Sequence, residues 1–298
     1  MFAQMTPAQA FARYEAIRPR LPNAGAPGAA QKVASLAEVS ALFDAFVFDA
    51  YGVLNVGDQP VPGARQRIDA LRDAGKQVIV LTNAASFTRL QTDAKFKRLG
   101  FDFSPAEIVS SREVCEQQMT TKGTWGVMAP DGFQTDELSV KSLVLEDQPD
   151  AYRNAAGFLL LSTAGWTAKR HDLLCSSLKQ NPRPIVVANP DLVAPREDGL
   201  SLEPGFYAQD LQDKLGCAAE FHGKPFPSVY DEVERRLSGI APARVAMVGD
   251  TLHTDILGAQ SRGWGSVLVT DHGLFAGLDV GPFITQSGII PDWIVPTI

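Results

Sequence analysis

The segment FVFDAYGVL, which covers residues 46–54, places a carboxylate directly after a run of apolar residues. Asp49 ends the run, and Gly52 follows where the chain could turn sharply. In open α/β sheets, ligands bind beyond the carboxyl ends of the strands, so Asp49 would face such a crevice. Aspartates also end strands as turn or cap residues. Asp49 is therefore either a site carboxylate or a turn or cap residue. The other motifs of the chain distinguish between these two roles.

Two further apolar runs end in polar residues that could belong to the same site. Thr82 and Asn83 follow one run, and their hydroxyl and amide could hold an anionic oxygen, although either residue could simply cap a helix. Asp250 follows another run, and Asp255 comes five residues later. Beside Asp49, this pair of carboxylates could form the hard oxygen site that Mg²⁺ prefers, with water as the remaining ligands. As an isolated pair, they could equally be capping residues.

The segment GKPFPS at 223–228 adds a cation. Lys224 stands just before a helix that is expected to begin at a proline, where its ammonium could neutralise a carboxylate or a phosphate. A lysine considered alone is more often a solvent-exposed surface residue. The four segments together, in this order, make a phosphoryl-binding site the more coherent interpretation.

The elements that must position these residues follow from hydrophobic periodicity. Short apolar runs alternate with amphipathic stretches, which predicts βα units and an α/β fold with a mainly parallel sheet covered by helices. Unbroken apolar runs are typical of buried parallel strands. The predicted strands are 45–49, 77–81, 158–161, 184–188, 244–248 and 266–269, and the clearest helices are 63–74 and 89–100.

The rest of the chain indicates more than one unit. Residues 1–20 form a predicted amphipathic helix, and 22–31 a loop. Between 122 and 216 the chain has its own strand and helix signals, which suggests an inserted second unit with boundaries placed to within about ten residues. Residues 291–295 are expected to form a closing edge strand.

Composition excludes several classes of protein. The 298 residues are 45% apolar, and 27 Lys and Arg against 34 Asp and Glu leave a net charge of −7, which disfavours nucleic acid as a partner. No apolar run reaches the roughly 18 residues of a membrane span, and no signal-peptide pattern is present, so we expect a cytoplasmic protein without a membrane partner. The four histidines are too scattered to suggest a metal cluster, and His253 is expected to contact solvent.

With these motifs in this order, the chain resembles the haloacid dehalogenase superfamily of hydrolases. More narrowly, it resembles subclass IIA, in which an α/β cap of the C2 type is inserted between the Thr-Asn motif and the lysine. The resemblance covers the chain from about residue 43 to its end. It implies a doubly wound, Rossmann-like core formed by 1–121 and 217–298, and a smaller α/β cap domain at 122–216.

The resemblance also implies roles for the motif residues. Asp49 would attack phosphorus to form an aspartyl-phosphate that water then hydrolyses. Mg²⁺ would be held by Asp49, the backbone carbonyl of Tyr51, Asp250 and, directly or through water, Asp255. Lys224 would hold the nucleophile and the phosphate together.

Two further pairs would contact the substrate. Thr82 and Asn83 would bind the phosphoryl oxygens. Asn189 and Asp191, in the segment ANPD, resemble the cap loop that closes the site in this family, although an ordinary Asn-Pro turn would explain the same residues. The resemblance implies a small phosphorylated molecule as substrate and pairing of two chains through their caps, but it does not name the leaving group.

The first motif departs from the family pattern. Phosphatases of this family carry a second aspartate where this chain has Tyr51, and that aspartate acts as general acid and base. A phenol ordinarily titrates near pH 10 and is a poor base at neutral pH. We therefore expect phosphatase activity to be slow or confined to activated leaving groups, with any catalytic role of Tyr51 limited to proton donation.

Two alternatives remain open at this stage. Asp49-Ala-Tyr-Gly also resembles the first motif of the metal-independent haloacid dehalogenases, in which the aspartate displaces halide from carbon. The pair Asp250 and Asp255 and the large inserted unit argue against this assignment. A non-catalytic protein that binds a phosphorylated metabolite through the same pocket is the other alternative.

Overall fold

The computed structural model describes residues 5–119, 122–196 and 199–298. The first four residues of the predicted N-terminal helix therefore lie outside the described residues, and so does residue 121 at the predicted domain boundary. Among the helices in the described ranges, none is both long and apolar enough to span a membrane.

The described residues form strands and helices that alternate along most of the chain. The strands are β1 (Gln31–Lys32), β2 (Ala45–Phe48), β3 (Asn55–Val56), β4 (Gln59–Pro60), β5 (Gln77–Thr82), β6 (Ile108–Ser110), β7 (Trp125–Met128), β8 (Ser142–Val144), β9 (Gly157–Leu160), β10 (Ile185–Val187), β11 (Val193–Arg196), β12 (Gly199–Leu202), β13 (Glu220–Phe221), β14 (Val245–Gly249), β15 (Gly265–Val269) and β16 (Trp293–Val295). The α-helices are α1 (Pro7–Ala16), α2 (Ala64–Asp73), α3 (Arg89–Arg98), α4 (Ser111–Gln118), α5 (Pro149–Asn154), α6 (Ala168–Gln180), α7 (Pro204–Leu215), α8 (Pro227–Arg236), α9 (Leu257–Ser261) and α10 (Gly281–Ser287), and a π-helical turn (Leu252–Ile256) precedes α9.

The larger sheet is parallel throughout and has the strand order β1-β16-β15-β14-β2-β5-β6. Side chains of its central strand β2 alternate between the two faces. Phe46 and Phe48 pack with α2 on one face. Ala45 and Val47 pack with α8 on the other face. Both faces of the sheet are therefore buried under helices, which confirms the predicted α/β fold with a mainly parallel sheet.

A second parallel sheet has the order β13-β10-β9-β7-β8. Its strands come from the chain between β6 and β14 of the larger sheet, and α6 and α7 pack on one of its faces. The predicted inserted unit ended at 216, whereas the last strand of this sheet, β13, lies beyond that residue. β13 pairs with β10 before the chain returns to the larger sheet.

The predicted edge strand at the C terminus is wrong in one respect. β16 pairs with β15 on one side and with β1 on the other, so β1 is the edge of the larger sheet. β1 contains Gln31, which the sequence placed at the end of a loop. Its two residues are exposed and polar, so hydrophobic periodicity has no signal there.

The N-terminal helix α1 contacts both sheet units. Phe11, Tyr14 and Ile17 lie in one hydrophobic cluster with Leu192, which follows β10, and with Leu257 of α9. This cluster explains the apolar spacing of the helix as packing. It also joins the two units through a segment that precedes both of them in the sequence.

Candidate active site

Three carboxylates meet at the carboxyl-terminal edge of the larger sheet. β2 and β14 are neighbours, and Phe48 lies opposite Val248, so Asp49 and Asp250 leave the sheet side by side. The π-helical turn after β14 adds Asp255. One carboxylate oxygen from each of the three aspartates lies within 4.8 Å of the others. The structure thus brings together the three carboxylates that the sequence analysis proposed as metal ligands.

The turn after Asp49 needs a residue without a side chain. Gly52 has φ +75°, and a Cβ there would lie 2.8 Å from Oδ2 of Asp250. The positive φ disfavours any residue with a side chain, and the short distance leaves no room for a Cβ atom beside the Asp250 carboxylate. Gly52 therefore lets the loop after β2 approach Asp250 closely.

Gly52→Ala is expected to lower the free energy of unfolding by more than the roughly 1–2 kcal/mol of a left-handed backbone, because the new methyl group also displaces Asp250. Gly75→Ala is the matched control, since Gly75 has φ +73° and a Cβ there would meet nothing within 4 Å. Chemical denaturation of both variants measures the difference. Equal losses in the two variants would contradict a close approach at Gly52.

Backbone and hydroxyl groups hold the last two carboxylates in place. Asp250 accepts hydrogen bonds from the backbone N–H of Leu274 at 2.8 Å and from the Thr251 hydroxyl at 3.0 Å. Asp255 accepts one from the backbone N–H of Thr251 at 3.1 Å. Both side chains are almost fully buried. Their orientation is therefore set before any ligand arrives.

Lys224 supplies the positive charge at the centre of the cluster. Its Nζ lies 2.5 Å from Oδ1 of Asp49 and 2.8 Å from Oδ1 of Asp255. Asn83 holds the lysine from the other side, because its amide oxygen accepts from the Lys224 backbone N–H at 2.7 Å and its Nδ2 donates to the Lys224 carbonyl at 3.0 Å. Two motifs separated by 141 residues are thus joined by direct hydrogen bonds.

One lysine does not balance the negative charge of this cluster. Burial raises the pKa of Asp49 to about 6. The positive charge of Lys224 opposes this increase, and the negative charge of Asp255 adds to it. Burial, then the charges of Asp255 and Asp49, raise the pKa of Asp250 to about 8. Burial alone would lower the pKa of Lys224, but the surrounding carboxylates outweigh it and raise that pKa. A divalent cation with a preference for oxygen ligands, such as Mg²⁺, fits this donor set and this excess of negative charge.

A cavity of about 300 Å³ opens above the carboxylates, between the two sheet units. Thr82, at the end of β5, lines it together with Asn83. The hairpin formed by β11 and β12 covers it from the side of the second sheet. The other residues that line the cavity are Tyr14, Asp49, Tyr51, Asp58, Ala84, Ser86, Phe87, Asn189, Asp191, Val193, Ala194, Pro195, Arg196, Glu203, Asp250, Thr251, Thr254 and Leu274.

The Asn-Pro-Asp loop after β10 reaches the larger sheet unit. Oδ1 of Asp191 accepts a hydrogen bond from Nδ2 of Asn83 at 2.8 Å. Asn189 uses both ends of its amide within its own unit: Oδ1 accepts from the Asp191 backbone N–H at 3.0 Å, and Nδ2 donates to Glu203 at 3.1 Å. Asn189 therefore orients the loop, whereas Asp191 is the loop carboxylate that contacts Asn83 of the larger sheet unit.

Tyr51 is half-buried beside two cations that the sequence analysis did not identify. Nζ of Lys95 lies 4.2 Å from the centre of its ring, and the Arg196 guanidinium lies 5.6 Å from it. Arg196 also forms an ion pair with the buried Glu203 at 3.0 Å. Burial would lower the pKa of Arg196, but Glu203 and the nearby Tyr51 hydroxyl raise it. The aromatic ring is therefore held by cation–π contacts.

Tyr14, in the predicted N-terminal amphipathic helix, is a further residue that lines the cavity. Its hydroxyl oxygen accepts a hydrogen bond from the Leu192 backbone N–H at 3.0 Å, directly after Asp191. Burial, and next the charge of Asp191, raise its pKa well above the ordinary value. Its spacing within α1 is typical of a core residue, and no sequence signal marks its distant partner.

The expectation that His253 contacts solvent is wrong. The side chain is 1% exposed, stacks on Tyr14 with ring centres 5.0 Å apart, and has its Nε2 2.5 Å from Oε1 of Glu15. Burial lowers the pKa of His253. Helix α1 buries this histidine. The sequence around His253 carries no sign of a contact with a segment so far away in the chain, so its burial could not be predicted.

A second cluster of polar side chains lies between α6 and α7. One ligand atom each from His171, Cys175 and Asp210 lies within 4.8 Å of the others, although the sequence suggested no histidine cluster. His171 and Lys214 both contact Oδ2 of Asp210 at 2.7 Å. The Asp210 carboxylate is therefore already neutralised by the Lys214 ammonium, unlike the carboxylates under the cavity.

Comparison with known proteins relates this arrangement to characterised hydrolases. A family described as haloacid dehalogenase-like hydrolase matches residues 46–137, and a second HAD-like hydrolase family matches 221–282. Human chronophin is 30% identical over 251 residues, which cover 79% of this chain and 83% of the relative. The acid sugar phosphatase of Staphylococcus aureus is 24% identical over 230 residues, which cover 76% of this chain and 86% of the relative.

A comparison of folds gives the same result as the comparison of sequences. The solved structure of a possible sugar phosphatase of the haloacid dehalogenase superfamily from Cytophaga hutchinsonii is similar with a TM-score of 0.77 at 23% identity, over 90% of this chain and 98% of that chain. Both sheet units therefore lie within the region of similarity. The segments matched by the two families include Asp49, Thr82, Asn83, Lys224, Asp250 and Asp255.

Proposed function

This chain belongs to the haloacid dehalogenase-like hydrolase family, and from that premise we propose that it is a Mg²⁺-dependent phosphatase of a small phosphorylated metabolite. The observation that carries the proposal is the position of Lys224 between Asp49 and Asp255, under a cavity that Thr82 and Asn83 also line. A nucleophile, a cation for the phosphate and hydrogen-bond donors for its oxygens are thus available within one enclosed space.

The chemistry proceeds through Asp49. Its carboxylate oxygen attacks phosphorus while the bond from phosphorus to the ester oxygen breaks, which leaves an aspartyl-phosphate and releases the alcohol. Water then attacks the phosphorus and returns Asp49 to its carboxylate form. Asp49, the backbone carbonyl of Tyr51, Asp250 and Asp255 would hold Mg²⁺, whose positive charge would neutralise the phosphoryl oxygens.

The remaining groups orient the reactants. Thr82 would bind phosphoryl oxygens through its hydroxyl and Asn83 through its backbone N–H, since the Asn83 side-chain amide already donates to Asp191 and to Lys224. Lys224 would keep Asp49 and the phosphate within reach of each other. Tyr51 stands where a carboxylic acid is expected in related phosphatases. Since a phenol is a poor base at neutral pH, deprotonation of the attacking water depends on a base elsewhere in the cavity.

Removal of the metal is the first test. We expect phosphate release from a panel of phosphorylated metabolites and one aryl phosphate to need added Mg²⁺ and to fall by about 10²-fold or more with a chelator, since charge neutralisation by a metal is worth several kcal/mol of barrier. Replacing the Mg²⁺ should restore the rate. Release of phosphate at an equal rate in the chelator would contradict the proposal.

The same assay separates the two alternatives. A binding protein would be stabilised by a phosphorylated metabolite with Mg²⁺ while releasing no phosphate. A dehalogenase would release halide from a short 2-haloacid in the presence of the chelator. The cluster of three carboxylates disfavours the dehalogenase, because a metal-free enzyme would have no counter-charge for Asp250, and phosphate release decides between the phosphatase and the binding protein.

A further inference from the structure

The proposed reaction lacks a group that can both protonate the leaving group and deprotonate the attacking water. An alkoxide is a poor leaving group unless it is protonated as the phosphorus–oxygen bond breaks. Tyr51 occupies the position of the usual acid, and its hydroxyl lies near Arg196, itself paired with Glu203. Two carboxyl groups that line the cavity are assigned neither to the metal nor to an ion pair: that of Asp58, which is exposed, and that of Asp191, which contacts Asn83.

We propose that Asp191, which follows β10 in the second sheet unit, is the general acid and base of the reaction. The inference rests on the proposed phosphatase function and adds a catalytic role to a residue that the sequence suggested as a substrate contact. It moves the proton-transfer group from the larger sheet unit to the loop that covers the cavity.

A chain of direct contacts places Asp191 at the reacting centre. Its Oδ1 accepts from Asn83 at 2.8 Å, Asn83 clamps the backbone of Lys224, and the Lys224 ammonium lies 2.5 Å from Asp49. Asn83 is also a proposed phosphoryl ligand. An acid held by this amide lies on the phosphate side of the cavity, where the ester oxygen departs.

The loop is held rigidly enough to aim this carboxyl group. The Asp191 backbone N–H donates to Asn189 at 3.0 Å, and the next backbone N–H, that of Leu192, donates to Tyr14 at 3.0 Å. Among the described residues, Oδ2 of Asp191 has no hydrogen-bond donor. One carboxyl oxygen is thus used for positioning and the other is available for a proton.

The surroundings favour the protonated form of this carboxyl group. Burial raises the pKa of Asp191 well above its ordinary value, and the charges of Asp49 and Asp255 add to the increase, while Lys224 and the Asn83 amide oppose it. This shift favours the carboxylic acid form of Asp191, which is the form that can donate a proton to a leaving group.

The proton balance closes over one turnover. In the first step the Asp191 carboxyl group gives its proton to the ester oxygen as the Asp49–phosphorus bond forms and the phosphorus–ester oxygen bond breaks. In the second step the Asp191 carboxylate takes a proton from water, the water oxygen bonds to phosphorus, and the Asp49–phosphorus bond breaks. The products are the alcohol and inorganic phosphate, and Asp191 is protonated again.

The test compares leaving groups in the full-length protein with Mg²⁺. Asp191→Asn is expected to lower kcat/KM for a primary alkyl phosphate by about 10²- to 10⁴-fold, because the alkoxide then leaves without a proton. For p-nitrophenyl phosphate, whose leaving group is a stable anion, we expect less than about a tenfold loss. This ratio of kcat/KM values reports the step in which the leaving group departs, so a role limited to positioning would lower both values alike.

Two further variants complete the experiment. Asp172→Asn makes the same change at an exposed position of α6 and should leave both substrates unaffected. Adding Tyr51→Asp to Asp191→Asn should restore much of the alkyl phosphate turnover, because it returns a carboxyl group to the usual position. Thermal unfolding with and without inorganic phosphate shows whether each variant is folded and binds the anion.

The outcomes distinguish this inference from the function on which it rests. Equal losses for the two esters, or an Asp191→Asn variant with full alkyl phosphate turnover, would overturn the role of Asp191 and leave the phosphatase intact. A parent protein that releases phosphate from none of the esters would overturn the phosphatase proposal and this inference with it.

Discussion

Asp49→Asn is expected to abolish phosphate release, with a loss in kcat of about 10⁴-fold or more, comparable to removal of the nucleophile in other enzymes that use a covalent intermediate. The amide nitrogen and oxygen of asparagine cannot form the acyl phosphate that the mechanism requires. The substitution also removes one ligand of the proposed metal site. Single-turnover assays with an aryl phosphate measure the loss with the highest sensitivity.

The fold of this variant should survive, which separates the chemical effect from a structural one. Burial raises the pKa of Asp49 to about 6, above its ordinary value, so ionisation of the carboxyl group costs stability as the pH rises through about 6. At pH 7 a neutral asparagine removes that cost. The free energy of unfolding should therefore be equal to or above that of the parent.

Asp73→Asn, at the exposed end of α2, is the matched control and should keep full activity. A folded Asp49→Asn variant that releases phosphate at the parent rate would mean that another group attacks phosphorus. The carboxylate cluster would then serve only to bind the metal.

Lys224→Met is expected to lower stability and activity together. The Nζ of Lys224 lies between Asp49 and Asp255, and the residue is only 1% exposed. Methionine would therefore leave two carboxylates without their cation. Loss of one partner from a buried ion pair costs about 3–5 kcal/mol. Catalysis should fall by about 10²- to 10³-fold as the charge at the phosphate is lost.

Two conditions should partly reverse the loss of stability in Lys224→Met. A second substitution, Asp49→Asn, removes one of the unpaired charges, so the double variant should be more stable than the sum of the single effects predicts. Added Mg²⁺ should stabilise Lys224→Met through the same carboxylates. Chemical denaturation with and without Mg²⁺ measures both effects.

Lys179→Met changes an exposed lysine in α6 and should alter neither quantity. If Lys224→Met unfolds at the same denaturant concentration as the parent, Lys224 is not needed to balance the carboxylates, and its role in holding Asp49 would have to be abandoned.

Most of the larger sheet could be predicted from the sequence, and so could the group of residues at its edge. The apolar runs of β2, β5 and β14 are unbroken because both faces of a parallel sheet are buried. The carboxyl ends of adjacent parallel strands meet at one edge, so polar residues that follow such runs, Asp49, Thr82 and Asp250, must lie close together. The short strands β1 and β13 could not be predicted, because two residues carry too little periodicity.

The sequence by itself therefore determined the α/β fold, through local periodicity, and the set of motif residues around Asp49 and Lys224, through the order of the motifs and their resemblance to the haloacid dehalogenase superfamily. Only the tertiary structure decided what surrounds that set. Tyr14 of α1, Lys95 of α3 and Arg196 of the hairpin over the cavity reach the site from elements far apart in the sequence. Their contacts depend on how whole helices and the second sheet unit pack, and packing across such separations leaves no pattern in any local stretch of residues.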